Sequence, residues 1–194
     1  AGMANLAREG VPPDRCHLVG DTMADTLLRH LPKAHASNVL ERLQLDAGRY
    51  AVLTLHRPAN VDDASALRRI VEGLASLDSH MPIVFPVHPR TARRLDEFGL
   101  MPIGDAHSGV RRIEPLGYLD FLKLMAEARL VLTDSGGIQE ETTILGVPCM
   151  TLRETTERPY TVEIGANRLV KPTAESIHAA IEQRLHRIVA AVRV

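Results

Sequence analysis

A chain of 194 residues is long enough for one domain with a sizeable core and part of a second. Its 23 basic and 24 acidic side chains nearly cancel, so no general field draws it to nucleic acid or to an anionic membrane. With no Trp, three Tyr and three Phe it lacks the stacking platforms of single-strand binders, and no apolar run is long enough to span a bilayer.

The opening residues do not form a signal peptide, and the chain does not begin with Met, which reads as a fragment or a trimmed piece of a longer protein. "MANLAREG" reads as the end of a helix stopped by Gly10. "RCHLVG" over 15–20 is predicted to be a strand, and "DTMADTLLRHL" a helix closed by Pro32. A lone strand and helix cannot make a core, so residues 1–48 are expected to add a strand to a following sheet or to be the tail of an earlier domain. Cys16 and Cys149 lie far apart without zinc spacing, and two buried thiols in a reducing cytosol is the plain reading.

From residue 49 the rhythm becomes regular. Apolar runs at 50–55, 82–87, 110–115, 129–133, 148–152 and 167–171 alternate with amphipathic segments. In "DDASALRRIVEGLASL" the residues Leu67, Ile70, Val71, Leu74 and Leu77 share one face, behind an Asp pair suited to cap the helix. "YLDFLKLMAEA" and "AESIHAAIEQRLHRIVAAV" are also predicted to be helices. Continuous apolar strands separated by helices mean a parallel sheet covered on both faces, so residues 49–194 are expected to form an α/β, Rossmann-like, doubly wound domain.

Ligands of such sheets bind outside the carboxyl ends of the strands. Those ends carry His56-Arg57, His88-Pro89-Arg90, Leu116-Gly117-Tyr118, Asp134-Ser135-Gly136-Gly137, and a loop from Arg153 to Arg158. Gly136 and Gly137 would open the helix after the fourth strand, where free N–H groups and the helix dipole favour an anion. Ser135 can cap that helix or donate to a ligand. Glu140 and Glu141 follow about one turn later, and a carboxylate there suits sugar hydroxyls. Phosphate on the glycines and ribose on a glutamate is one coherent arrangement. A tight strand-to-helix turn with dipole-complementing glutamates is the other.

His56 beside Arg57 fits phosphate binding or proton transfer, with a core histidine satisfied by backbone as the rival reading. His56 and His88 have no third ligand at metal spacing, so no metal is expected. Arg153 and Arg158 are candidate anion contacts, against a merely solvated loop. Phe121 falls on a core stripe yet stands near enough to the third strand end to flank a base. No G-x-G-x-x-G, GK[ST] or nucleophile elbow is present.

The segments "LTLHRPANVDD", "VFPVHPRT", "PLGYLDFLKLM", "LTDSGGIQEETTILGVPCMTLRETTERP" and "GANRLV" resemble the non-hydrolysing UDP-N-acetylglucosamine 2-epimerases. "LVGDT" at 18–22 is similar to the end of that family's amino-terminal domain. The resemblance implies the second domain of a glycosyltransferase-B-like fold, with the active site in the interdomain cleft. It implies UDP held by Ser135, Gly136 and Gly137 at the diphosphate and by Glu141 at the ribose. His56 would act on the phosphate side, Phe121 would border the uracil, and Arg57, Arg153 and Arg158 would line the substrate. His88 matches a position linked to a regulatory UDP-sugar site. The implied reaction, in polysaccharide biosynthesis, is anti elimination of UDP and re-addition with inversion at C2, without redox cofactor or metal. The family's acid/base carboxylates lie in an amino-terminal domain, so this chain is expected to bind UDP as a partner of that domain. Ala59 stands where members often carry Glu, and the carboxyl-terminal helix closes early. A donor domain of a glycosyltransferase and a catalytically silent nucleotide-binding module are the alternatives, and a homodimer is left open.

Overall fold

The computed structural model describes residues 2–75, 81–100 and 109–191, with side chains on the last helix described to residue 183. In chain order come α1 (Gly2–Arg8), a 3-10 turn at Pro13–Arg15, α2 (Thr22–His35), α3 (Val39–Leu43), β1 (Ala51–Thr54), α4 (Pro58–Val61), α5 (Ala64–Ala75) and β2 (Ile83–Pro86). There follow α6 (Pro89–Glu97), β3 (Val110–Ile113), α7 (Tyr118–Ala126), β4 (Leu130–Thr133), α8 (Gly136–Leu145), β5 (Cys149–Leu152), α9 (Pro159–Glu163), β6 (Asn167–Val170) and α10 (Ala174–Ala191). Each of the six expected strands forms, one or two residues shorter than its apolar run.

The strands make one parallel sheet in the order β3-β2-β1-β4-β5-β6. This doubly wound order reverses between β1 and β4, and that switch point is where such folds open a crevice. Alternation along each strand splits the core in two. Ala51, Leu53 and Leu55 join Ile83, Phe85 and Leu132 on one face, under α5, α6 and α10. Val52, Val84 and Val131 lie on the other, under α2, α7 and α8. Leu67, Ile70 and Leu74 are buried as the helical stripe predicts, with Val71 at its margin, while Leu77 lies outside the described residues. Asp63 caps α5 by accepting from the Ala66 N–H at 2.7 Å.

The amino-terminal segment departs from expectation. Residues 16–21 form no strand, and Leu18 and Val19 are 84% and 71% exposed, because no sheet edge lies alongside to take their backbone groups. Gly20 turns at φ +83°, and Asp21 then caps α2 through the N–H groups of Met23 and Ala24. Pro32 does not close α2, which runs on to His35. Leu27 and Ala34, on either side of the proline, are both fully buried against the sheet, and that packing outweighs one lost backbone bond. Cys149 is buried, its thiol pushed up to about 11 by burial, whereas Cys16 is only half-buried, and both are free.

Helices α5 and α10 approach closely at Gly73, where a Cβ would stand 2.9 Å from the Ala174 Cα and 3.0 Å from the Ile177 Cβ. Backbone on the opposing helix cannot yield as a side-chain tip can. Gly73→Ala should therefore destabilise the fold by about 1–3 kcal/mol in urea denaturation, despite the higher helix propensity of alanine.

Candidate active site at the strand switch point

Thr54 pairs with Thr133, so β1 and β4 end level, and their hydroxyls share a 2.6 Å hydrogen bond. Beyond that pair the chain continues on one side into Leu55-His56-Arg57 and on the other into Asp134-Ser135-Gly136. Asp134 is fully buried. Its carboxylate accepts from the His56 N–H at 3.1 Å, the Arg57 N–H at 2.9 Å and the Asn60 amide at 3.2 Å, and lies 3.0 Å from His56 Nδ1. Arg57 Nε donates in turn to the Asp134 carbonyl at 2.9 Å. One acid thus pins the whole turn after β1.

Two ionisations shift together. The hydrogen bond that His56 donates to Asp134 raises the histidine above its ordinary value, against a smaller loss from burial. Burial pushes Asp134 upward, but the hydrogen bonds of His56 and the Arg57 N–H outweigh it and leave the carboxyl below its usual range. Nδ1 is committed to Asp134, and the ring is half-exposed.

Ser135 is the N-cap residue of α8, yet its side chain makes no capping bond. Its N–H goes to the Thr133 hydroxyl at 3.0 Å and its carbonyl accepts from the Gln139 amide at 3.0 Å. Gly136 and Gly137 form the first turn of α8, where N–H groups lack intrahelical acceptors. Both glycines are crowded by protein: a Cβ on Gly136 would collide with Glu157 Oε1, and one on Gly137 would stand 2.8 Å from the Met23 Cε. Glu141, partly buried, is raised by burial and by neighbouring Glu140. It also raises Tyr118, after burial, so the start of α7 faces the side of α8. Phe121, one turn on, is partly buried against the core. His30 of α2 meets the Tyr118 ring edge-on at 5.8 Å between centroids.

The loop after β5 supplies the third wall. Glu157 bridges Arg57 at 2.9 Å and Arg153 at 2.8 Å. Its own backbone N–H, and then Arg153, hold this carboxyl below the ordinary range against burial. Arg158 Nε stands 2.8 Å from Glu140 Oε1, an ion pair without hydrogen-bond alignment. His88 occupies the next strand end, capping α6 with Nδ1 accepting from the Arg90 N–H at 3.2 Å. Residues 56, 57, 153 and 157 are therefore linked to one another through Asp134 and Glu157, whereas the bond of His88 stays within its own turn.

Sequence reading assigned no role to Asp134, Asn60, Gln139 or Asn167. Buried Gln139 accepts from Thr156 at 2.6 Å and from Asn167 at 3.0 Å, and Thr151 donates to Asn167 at 2.8 Å. This polar knot fixes the 153–158 loop over α8. Polar residues inside otherwise apolar runs, such as Asn167 before "RLV", were its only signal. Among the described residues no three His, Cys, Asp or Glu side chains are placed to hold a metal, and no helix is long and apolar enough to cross a membrane.

Comparison with known proteins bears on this geometry. The family described as UDP-N-acetylglucosamine 2-epimerase matches residues 2–193. A UDP-N-acetylglucosamine 2-epimerase of Methanocaldococcus jannaschii is 44% identical, with 94% of this chain and 51% of that protein covered. One from Bacillus subtilis is 34% identical over 93% of this chain and 47% of its own length. The crystal structure of the M. jannaschii enzyme in complex with UDP-GlcNAc and UDP superposes with a TM-score of 0.84 at 45% identity, covering 94% of this chain and 51% of the other. The Neisseria meningitidis enzyme bound to UDP-GlcNAc gives 0.75 at 29% identity, over 93% of this chain and 50% of that one. The chain spans about half the length of the curated relatives it matches.

Replacing Asp134 by Asn keeps the shape and removes the charge. NMR titration should find His56 above about 6.5 in the wild type and back near that value in Asp134→Asn. The raised histidine stabilises the fold fully below about pH 6.5 and loses this as pH rises through its folded value. The lowered aspartate contributes above about pH 3.9 and loses this as pH falls through its own. Asp134→Asn should flatten stability across that window and cost about 2 kcal/mol.

Proposed function

The chain belongs to the UDP-N-acetylglucosamine 2-epimerase family, and on that premise we propose that it is the nucleotide-binding part of an enzyme interconverting UDP-GlcNAc and UDP-ManNAc. The observation that carries this reading is the meeting, at the β1/β4 switch point, of an ionisable histidine, a glycine-opened helix N-terminus and an arginine loop. Such a wall suits a diphosphate, and the raised Glu141 beside Tyr118 suits a nucleoside at its flank.

In the proposed reaction UDP leaves C1 as a proton leaves C2 on the opposite face, giving a 2-acetamidoglucal. UDP then returns while C2 is protonated from the other side. Charge develops on the departing β-phosphate. His56, whose hold on a proton is strengthened by its bond to Asp134, stands on the side of that charge, while Ser135 and the first N–H groups of α8 bind the same oxygens. Glu141 accepts from the ribose hydroxyls, Phe121 borders the uracil, and Arg57, Arg153 and Arg158 neutralise the phosphates. His88 lines a second, regulatory UDP-sugar site.

The C2 proton needs a different base. Asp134 and Glu157 are both held below the ordinary carboxylate range, which makes them poor acceptors from carbon. The proposal therefore assigns proton transfer to carboxylates of an amino-terminal domain, so this chain binds nucleotide without turning it over. No cofactor enters the scheme, and a cytoplasmic supply of nucleotide sugar goes with it.

Calorimetric titration of UDP into the chain tests the reading. Ser135→Ala and Glu141→Ala should each weaken binding about tenfold, the loss of one hydrogen bond to a charged partner. Unchanged affinity in both would mean that the glycine turn is only a turn. Joined to its amino-terminal half, the enzyme should form UDP-ManNAc without an acceptor sugar, where a glycosyltransferase donor domain would need one.

A further inference from the structure

The four basic side chains that the sequence offered to the diphosphate already have a carboxylate. His56 is paired with Asp134, Arg57 and Arg153 share Glu157, and Arg158 stands beside Glu140. An incoming diphosphate therefore competes with these acids for the same cations.

The three acids differ in how firmly they are held. Asp134 is fully buried and takes N–H groups from two backbone positions and one amide, so its loss would open the β1 turn. Glu140 is nearly buried within α8, beside the Tyr160 hydroxyl at 3.3 Å. Glu157 is different: its side chain is 42% exposed and reaches in from a loop. Exposed ion pairs contribute little net energy, so this carboxylate can leave cheaply. Its place is also distinctive. It lies between two guanidinium groups and against Gly136, the first residue of a ten-residue helix, in a space that any Cβ there would fill. Two guanidinium groups and a helix N-terminus are what a phosphate oxygen requires.

We propose that the Glu157 carboxylate is an internal anion seated in the diphosphate site, holding Arg57 and Arg153 in position until the β-phosphate of the ligand displaces it. This rests on the nucleotide reading above. Glycine at 136 then serves the empty and the loaded site alike, because the room that admits Glu157 is the room a phosphate would use. The rest of the loop need not move. Thr156 stays on Gln139 at 2.6 Å and its hydroxyl receives the Arg158 N–H at 2.9 Å, so only the Glu157 side chain has to swing out. The depressed Glu157 carboxyl means that the competition is between anions at neutral pH.

Glu157→Gln keeps the size and removes the charge. Titrated beside the wild-type chain with UDP, inorganic pyrophosphate and uridine, it should bind UDP and pyrophosphate about fivefold more tightly, with no gain for uridine. Thermal melting monitors folding of both chains, and Glu157→Ala should show the same direction. UDP binding that is unchanged or weaker in both variants overturns the proposal and leaves the nucleotide reading intact, since Glu157 would then be a positioning residue that the bound arginines need. A gain with UDP but not pyrophosphate also overturns it, by putting Glu157 against the nucleoside. Failure of every chain to bind any of the three probes removes both readings together.

Discussion

An ionised carboxylate cannot be buried without partners, and Asp134 at the end of β4 takes its donors almost entirely from the turn that follows β1. This demand organises the site. Because β1 and β4 are neighbours that end level, the acid of one strand reaches the backbone of the other, and the Arg57 Nε returns a bond to the Asp134 carbonyl. The His56 ring orientation, the path of Arg57 and the start of α8 all follow from it. Asn60, bonded both to Asp134 and to the Leu152 carbonyl at 3.1 Å, carries the constraint on to the end of β5.

A second, uncharged network acts beyond α8. Gln139, Asn167, Thr151 and Thr156 satisfy one another in a region where an unpaired amide would be costly. Their effect is to hold the 153–158 loop rigid at Thr156 while leaving Glu157 at the surface. The site thus combines a fixed acid below with a displaceable one above, and Arg57 between them and Arg153 beside Glu157 are preset for an anion.

Much of this is legible in the sequence. Strand and helix order from residue 49 onward follows from unbroken apolar runs alternating with amphipathic ones, because each strand is covered on both faces. The segment 15–20 misled because apolar Leu18 and Val19 have strand composition, yet pairing needs an edge, which composition does not supply. Pro32 misled for the opposite reason: local propensity predicts a stop, and burial of Ala34 beyond it overrides propensity.

The sequence by itself determined which residues stand at strand ends, since His56, Asp134 and Arg153 each follow an apolar run directly, with Ser135 and Gly136 just beyond, and a parallel sheet puts those ends on one edge. It could not determine which ends are neighbours. Strand order is a property of the assembled sheet, and only β1 lying beside β4 makes Asp134 the partner of His56. The same holds for Glu157, one hundred positions from Arg57 along the chain and in contact with it once β4 and β5 are in place. Local pattern decides the elements because periodicity and capping act within a few residues. Charge pairing across the crevice is decided by tertiary structure, because burial and strand adjacency set which carboxylate meets which cation.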